Sequence, residues 1–305
     1  SSPVQALRDA VIQFSARRRA DGAQTHVSMV QRVFVTGGNA GIGLALCRQL
    51  VEEHGCHVYL GARSLEKGEA AVKSILEAVP SGAGRLELVQ VDTTSDDSVA
   101  AAAQAVKGLL GSEKLYGLVN NAGTGLGHGV SGTAVVSTNL YGPKRMVEAF
   151  MPLIDAAEGR IVNVGSGAGP MYMQKADAAT QSMLKSPDVM WEQIEDLVKK
   201  ETAEPGCLED GFRVYALSKA CLHSYTMVLA NAFPHLKVNV CSPGFIETSM
   251  TQGMGASKPP EEGTVSIRHC LFGNLSGNGW YFGSDALRSP LDVLRNPGEP
   301  EYQGD

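Results

Sequence analysis

The sequence predicts an α/β protein with a doubly wound, mostly parallel sheet of seven strands, in a single domain that carries a helical insertion. Three observations lead to this fold class. Apolar runs of strand length alternate with stretches of helical length, which is the pattern of right-handed βαβ units. A glycine-rich turn joins the first strand to the first helix. No linker divides the 305 residues, and α/β chains of this length commonly fold around one core.

The strands are predicted where apolar residues cluster and turn residues follow. They are expected at 30–36, 56–61, 86–91, 115–120, 159–166, 237–241 and 279–282. Each of the first four strands is followed by a stretch of helical length, at 41–54, 64–79, 95–110 and 132–157 respectively. Because each crossover helix packs back onto the sheet, helices are expected on both of its faces.

The domain organisation has three parts. Residues 29–288 form the predicted domain, with the insertion at 167–214. Residues 1–28 combine apolar residues at roughly helical spacing with three consecutive arginines, which is typical of an organelle-targeting remnant or of an accessory helix, and both interpretations stay open. Residues 289–305 are rich in proline and are predicted to be an extended surface tail.

Composition excludes several kinds of partner. The formal net charge of −6 argues against a protein that binds a nucleic-acid backbone. No apolar run approaches the ~18 to 20 residues that cross a bilayer. The six cysteines are scattered, which predicts reduced thiols in an intracellular compartment, either the cytoplasm or, after removal of a targeting segment, a plastid or mitochondrion.

No metal site is predicted. The nearest candidate is the group His54, Cys56 and His57. Adjacent strand residues point to opposite faces, so these three side chains are expected to be structural.

The turn after the first strand is a candidate dinucleotide site. Its sequence over residues 36–43 is TGGNAGIG. Glycines in this pattern allow a tight turn, close approach of a pyrophosphate to the backbone, and close packing of the next helix, whose N-terminus attracts phosphate. The predicted cofactor contacts in this turn are Gly37, Asn39, Gly41, Ile42 and Gly43.

The end of the second strand predicts the type of dinucleotide. A site that prefers NAD has an acidic side chain there for the adenosine ribose. This chain has Ala62 and then Arg63 instead. A guanidinium forms charge-assisted hydrogen bonds with a 2′-phosphate, so the cofactor is predicted to be NADP(H).

Other candidate residues follow the later strands, whose carboxyl ends form the edge where open α/β sheets bind ligands. Asp92 is a candidate for the adenine amino group, and Ser166 ends the fifth strand. The remaining candidates in this group are Asn120, Ala122 and Gly123, which lie in the glycine-containing segment 120–123.

Tyr215 and Lys219 are four residues apart in the helical stretch 211–233. This spacing places both side chains on one helix face. A fixed cation favours the phenolate, so Lys219 is predicted to lower the pKa of Tyr215 and to suit it for general acid–base work.

Residues ~30 to 285 resemble the short-chain dehydrogenase/reductases, which have a Rossmann-type sheet. The resemblance rests on motifs in family order: the turn 36–43, the segment 120–123, Asn139, Ser166, Tyr215 with Lys219, and the sequence Ser242-Pro243-Gly244. A long insertion before the tyrosine is most similar to the monomeric NADPH-dependent carbonyl reductases. It implies a monomer, with a dimer as the alternative, and a small-molecule carbonyl as the substrate.

The resemblance implies a role for each matched residue. Tyr215 would donate a proton to a ketone or aldehyde that is reduced to an alcohol. Lys219 would hold the nicotinamide ribose, which Tyr215 would also contact. Ser166 would hydrogen-bond the carbonyl oxygen, and Asn139 would shape a water path to Lys219.

Three cofactor contacts are implied after the sixth strand. Pro243 and Gly244 would face the nicotinamide, and Thr248 would contact its carboxamide or the phosphates.

The chain departs from the family pattern at three positions, one of which is Leu217, bulkier than the small residue usual between the tyrosine and the lysine. Gly165 stands where a second serine is common, and Ala40 replaces a basic residue that many NADP-dependent relatives carry. Two other roles are compatible with this sequence: a non-catalytic NADP(H)-binding sensor or assembly subunit, and a reductase of fatty-acyl or steroid intermediates. A serine hydrolase is excluded, since Val164 and Ala168 occupy the two glycine positions of a nucleophile elbow.

Overall fold

An eight-stranded sheet runs through residues 30–125 and 129–304, which are the residues that this computed structural model describes. The strands are β1 Arg32–Thr36, β2 His57–Ala62, β3 Leu86–Gln90, β4 Gly117–Asn120, β5 Arg160–Val164, β6 Lys237–Cys241, β7 Tyr281–Phe282 and β8 Arg288–Ser289. Their order is β3-β2-β1-β4-β5-β6-β7-β8. The segment 1–28 lies outside the described residues, so both interpretations of it stay open.

The seven predicted strands are present and pair in parallel, which confirms the fold class. The eighth strand is additional, and it pairs with β7 in the antiparallel sense. A short turn makes this hairpin, with Gly283 N donating to Leu287 O at 2.8 Å. The strand has two residues, Arg288 and Ser289, and so lacks the apolar run that would have indicated it. The segment predicted as a tail thus begins inside the sheet, at Ser289.

Helices cover both faces of the sheet. They are α1 Gly41–Glu52, α2 Leu65–Ala78, α3 Asp96–Leu110, α4 Gly132–Val136, α5 Gly142–Phe150, α6 Ala168–Met173, α7 Ala178–Lys185, α8 Trp191–Ala203, α9 Gly211–Ala232 and α10 Val265–Phe272. Alternate residues of β1 enter different core clusters, Phe34 on one face and Val33 and Val35 on the other. This alternation is what a strand buried on both faces requires.

The helical stretch predicted at 132–157 is divided in the structure. Between α4 and α5 the chain forms a π-helical turn, Ser137–Tyr141, closed by Gly142 N donating to Ser137 O. Pro143 lacks an N–H, so it cannot make the regular bond to the carbonyl four residues before it. The wider turn accommodates that loss and sets the direction in which Asn139 projects. π-Helical turns of this kind are frequent at functional sites.

The insertion forms α6, α7 and α8, which pack on α9. Helix α8 buries Ile194, Leu197 and Val198, the apolar stripe expected from their spacing. At the start of α8, the Trp191 ring packs in T-shaped geometry against Tyr141 and Tyr225, with ring centroids 5.6 Å and 5.3 Å apart. The insertion therefore extends the core that surrounds α9 and contacts the π-helical turn.

None of the helices formed by residues 30–125 and 129–304 combines the length and the apolar character needed to cross a membrane.

Candidate active site

The carboxyl ends of β1, β4, β5 and β6 meet at one edge of the sheet, because these strands are parallel neighbours. The order of the strands reverses between β1 and β4, and such a switch point opens a crevice for ligands. Most of the predicted site residues lie at this edge or in the loops that leave it.

The glycine-rich turn after β1 has a backbone that other residues could not adopt without strain. Gly37 and Gly41 have φ angles of +65° and +52°, a region that glycine occupies without penalty. A Cβ on Gly43 would lie 2.2 Å from Gly37 O. A Cβ on Gly41 would lie 3.2 Å from Thr248 Cγ2. The turn thus folds tightly onto α1, and Thr248 from the loop after β6 lies against it.

The start of α1 differs from the starts of the next two helices. Ser64 and Ser95 cap α2 and α3 by accepting hydrogen bonds from backbone N–H groups. At α1, Ala40 occupies the cap position and no described side chain caps the helix. Its first N–H groups are available to an anion. Asn39 and Ile42 are half-buried on either side of this cap. The residues present therefore fit a pyrophosphate.

Arg63 lies at the carboxyl end of β2, exposed to solvent. Asp92 follows β3 next to it, where its Oδ1 accepts hydrogen bonds from Thr94 N at 2.9 Å and Thr94 Oγ1 at 2.7 Å. Partial burial opposes ionisation, but the Thr94 bonds and the charges of Arg63 and Arg145 outweigh it and lower the pKa of Asp92. An anionic acceptor and a guanidinium are thus placed side by side at the β2–β3 end of the crevice.

The loop after β4 is tied to the glycine-rich turn by Thr36. Its Oγ1 accepts hydrogen bonds from Asn121 N at 3.0 Å and Ala122 N at 2.9 Å. Asn121 Nδ2 donates to Thr36 O at 2.9 Å and to Gly37 O at 3.3 Å. Neither Thr36 nor Asn121 was predicted as a site residue, although Thr36 lies in the turn 36–43 and Asn121 in the segment 120–123. Gly123 follows Ala122 and is half-buried at the sheet edge.

The structure does not bring the Asn120 side chain to this edge. It is 3% exposed, and its Nδ2 donates to Asn163 Oδ1 at 2.8 Å between two neighbouring strands. Successive strand residues alternate in direction, so Asn120 points into the core where Asn121 points to the turn. The side chain of Asn120 is thus bound to Asn163, and the predicted cofactor contact of Asn120 stays a prediction.

Asn139 projects from the π-helical turn into the site. Its Nδ2 donates to Thr124 O at 2.8 Å and to Ser218 Oγ at 3.1 Å, and its Oδ1 accepts from Thr124 N at 2.9 Å. Ser218 Oγ in turn donates to Tyr215 O at 2.7 Å. Asn139 thus connects the loop after β4 to the helix that carries Tyr215.

Helix α9 presents Tyr215 and Lys219 to the end of β5. Lys219 Nζ donates to Val164 O at 2.8 Å and lies 5.7 Å from the centre of the Tyr215 ring. A Cβ on Gly123 would be 3.7 Å from this Nζ. The predicted pair is therefore brought together, at the point where the loop after β4 approaches β5.

Burial governs the proton affinity of both groups. Burial lowers the pKa of Lys219 from 10.5 to about 8. Burial raises the pKa of Tyr215, which is 8% exposed, and the nearby Ser166 side chain opposes that rise. The four-residue spacing predicts that Lys219 lowers the pKa of Tyr215, but its ammonium is directed at Val164 O. Part of the burial comes from Gly125, whose Cβ would lie 2.7 Å from Tyr215 Cδ2.

Ser166 lies two residues beyond β5, close enough to Tyr215 for its side chain to lower the pKa of the phenol. Its Oγ also accepts from Ala168 N at 3.2 Å, at the start of α6. Its backbone N donates to His223 Nε2 at 3.4 Å. His223 was not predicted as a site residue. It continues the spacing of Tyr215 and Lys219 by one further helical turn, which is the signal that could have identified it.

The loop after β6 carries the last three predicted contacts. Gly244 has a φ angle of +90°, and its N donates to Ser242 Oγ at 3.3 Å. Pro243 is half-buried, while Phe245 is 51% exposed. Together with Thr248, these residues form one wall of the crevice.

The histidines of the group His54, Cys56 and His57, which was expected to be structural, contact other side chains. His54 stacks on Phe272 at 4.1 Å, and His57 Nε2 hydrogen-bonds Glu87 Oε1 at 2.8 Å. Within residues 30–125 and 129–304 there is no group of three or more metal-ligating side chains. All six cysteines are buried free thiols.

Comparison with known proteins identifies relatives of this site and fold. The sequence profile of the family described as short chain dehydrogenase matches residues 31–182. The chain is 32% identical over 269 residues to a (+)-neomenthol dehydrogenase of Arabidopsis thaliana, a match that covers 78% of this chain and 90% of that protein. It is 29% identical over 300 residues to salutaridine reductase of Papaver somniferum, covering 83% of this chain and 94% of the relative.

A solved structure of salutaridine reductase from Papaver somniferum has the same fold. The two superpose with a TM-score of 0.70 at 27% identity, over 82% of this chain and 99% of the other. The order of motifs along the sequence, the doubly wound sheet and the near-complete coverage of these relatives agree. This chain belongs to the short-chain dehydrogenase family, as the resemblance predicted.

Proposed function

We propose that this protein is an NADPH-dependent reductase that converts a ketone or aldehyde to an alcohol, with Tyr215 as the proton donor. One observation carries the proposal. Tyr215 lies near Ser166, which lowers the pKa of the phenol, and both are at the carboxyl end of β5 where the buried Lys219 binds Val164 O at 2.8 Å. A carbonyl oxygen placed between the hydroxyls of Tyr215 and Ser166 receives two hydrogen-bond donors, one of which can transfer its proton.

The cofactor would supply a hydride, and the residues of this chain would hold it. The glycine-rich turn and the uncapped start of α1 suit its pyrophosphate. Arg63 and the neighbouring Asp92 suit a phosphorylated adenosine ribose and an adenine amino group. The residues proposed to contact the nicotinamide end of the cofactor lie on the loops after β4 and β6 and are Gly123, Pro243, Gly244 and Thr248.

The direction of the pKa shift of Tyr215 supports reduction. Because burial raises this pKa, the phenol carries its proton at neutral pH. A protonated phenol is ready to donate to an oxygen that gains negative charge as the carbonyl is reduced. Oxidation of an alcohol would need the phenolate, which the buried site disfavours.

Lys219 and Asn139 assist this proton transfer from Tyr215. The Lys219 ammonium stabilises negative charge that develops on Tyr215 as its proton leaves. Asn139 holds the loop after β4 to α9 through Thr124 and Ser218. It thereby fixes the space beside Lys219 in which water can return a proton to the site.

We further propose that the protein is a monomer in a reducing intracellular compartment. The insertion helices α6, α7 and α8 cover α9 and so occupy a surface that would otherwise be open to a second subunit. The six buried thiols suit a reducing environment.

Tyr215→Phe removes the proposed proton donor without removing the ring. We expect kcat to fall about a hundredfold or more, the usual contribution of a general acid, while NADPH binds within about threefold of the wild-type affinity. Steady-state rates with a panel of ketones and aldehydes, and fluorescence titration with NADPH, provide the two readouts. Tyr302→Phe, in the C-terminal segment, is the matched control and should keep full activity. Undiminished turnover by Tyr215→Phe would contradict the proposed role.

Arg63→Asp replaces the proposed 2′-phosphate ligand with an acid that repels it. Since a charge-assisted hydrogen bond contributes about 1.5–3 kcal/mol, kcat/KM with NADPH should fall about tenfold or more, and kcat/KM with NADH should hold or rise. Lys73→Asp makes the same charge change at an exposed residue of α2, so it controls for long-range electrostatics. An unchanged ratio of NADPH to NADH efficiency in Arg63→Asp would contradict the assignment.

Lys219→Met tests whether the site holds a buried charge at a cost in stability. The shift of the Lys219 pKa from 10.5 to about 8 corresponds to about 3 kcal/mol. Because the folded pKa is the lower one, this destabilisation is fully present below pH ~8 and disappears as the pH rises to ~10.5. Relative to wild type, the variant should therefore be more stable at pH 7, by an amount that shrinks at pH ~10. Urea unfolding at both pH values measures it, and a pH-independent difference would refute the buried charge.

A further inference from the structure

The proposed reaction does not use His223, a titratable side chain that is buried against the backbone of Ser166. The residue is 2% exposed and lies on α9, one turn beyond Lys219. Its Nδ1 is fully buried without a hydrogen-bond partner among the described residues. An unpartnered polar atom in a core is costly, so the imidazole calls for an explanation.

His223 accepts a hydrogen bond from the first backbone N–H after the hydrogen bonds between β5 and β6 end. The last backbone bond from this segment runs from Gly165 N to Cys241 O, at 2.7 Å. The next donor along the chain, Ser166 N, has no strand carbonyl to meet and donates instead to His223 Nε2 at 3.4 Å. The backbone of the proposed substrate-binding serine is thus held by a side chain of the helix that carries Tyr215.

Two glycines make room for the ring. A Cβ on Gly165 would lie 2.4 Å from His223 Nε2, and a Cβ on Gly169 would lie 2.7 Å from Cε1 and 2.9 Å from Nδ1. On another side, the Tyr281 ring stacks on the imidazole at 4.4 Å with an interplanar angle of 28°. Any larger residue at either glycine would displace the ring. The departure from the family pattern at Gly165 therefore has a physical counterpart in His223.

The surroundings keep the imidazole neutral. Burial, with a smaller contribution from the charge of Lys219, lowers the pKa of His223 to about 3. The phenol of Tyr281, which faces it from β7, has its own pKa raised by burial and is uncharged. Because Nε2 accepts the Ser166 hydrogen bond, the single proton of the neutral ring belongs on Nδ1.

We propose that His223 is a positioning residue for Ser166: its neutral ring, seated between Gly165 and Gly169, holds the Ser166 amide so that the Ser166 hydroxyl meets Tyr215. This inference rests on the proposed function, in which Ser166 binds the carbonyl oxygen. The 3.4 Å bond is long, so the ring acts through its volume as well as through its acceptor. On one helix face, Lys219 and His223 then hold the Val164 carbonyl and the Ser166 amide, and Tyr215 lies near the Ser166 side chain.

A double-mutant cycle tests whether His223 acts through Ser166. His223→Leu keeps a similar volume but has no acceptor, whereas His223→Gln places an amide oxygen near the position of Nε2. We expect His223→Leu to lower kcat about tenfold while the KM for NADPH stays within about twofold, and His223→Gln to recover most of the loss. In a Ser166→Ala background, His223→Leu should cost less than about twofold. An equal fold-loss in both backgrounds would overturn the proposal.

A second measurement is independent of turnover and does not need a folded variant. In the wild-type protein with ¹⁵N-labelled histidine, NMR should show one imidazole with a protonated Nδ1 and an unprotonated Nε2, without titration between pH ~5 and ~8. It is assigned to His223 from its contacts with the Tyr281 ring. The opposite tautomer, or titration in this range, would overturn the proposal. If no carbonyl is turned over but the tautomer is as expected, the proposed function fails and the His223–Ser166 contact stands.

Discussion

The candidate site depends on the register of α9 against the end of β5. Side chains spaced four residues apart along that helix face one short segment: Lys219 binds the Val164 carbonyl, His223 accepts from the Ser166 amide, and Tyr215 lies near the Ser166 side chain. A slip of one residue would turn the helix face by about 100° and break all three contacts. The insertion, which packs α6 to α8 on the same helix, therefore stabilises the site although it contributes none of the matched motif residues.

Several features of the site cost stability, and the rest of the fold compensates for them. A buried ammonium, an unpartnered imidazole nitrogen and the conformational entropy that the glycines of the turn lose on folding each raise the free energy of the folded state. All lie at the edge of a sheet that is buried on both faces. The same location serves function, because a site with little water strengthens each electrostatic contact and keeps Tyr215 protonated.

Spacing and local composition predicted the elements whose causes are local. The glycine-rich turn, the parallel strands and the Tyr215–Lys219 face each follow from a pattern within a few residues. Features that depend on tertiary packing could not be predicted from such local patterns. Asn120 and Asn121 are adjacent, and only the end of β4 decides which one faces the crevice. The rise in the Tyr215 pKa depends on burial by a loop 90 residues earlier in the chain, at Gly125. The π-helical turn could have been suspected from Pro143, whereas its effect on Asn139 could not.

The face of α9 that carries Tyr215 and Lys219 is inferred to support reduction of a carbonyl by direct hydride transfer from the cofactor. The most direct measurement uses NADPH with deuterium in the position of the transferred hydride, a ketone substrate, and mass and NMR analysis of the product. We expect the wild-type protein to form an alcohol with one deuterium on the former carbonyl carbon. An alcohol without deuterium on that carbon, or NADPH that binds and is never oxidised with any carbonyl of the panel, would contradict this inference.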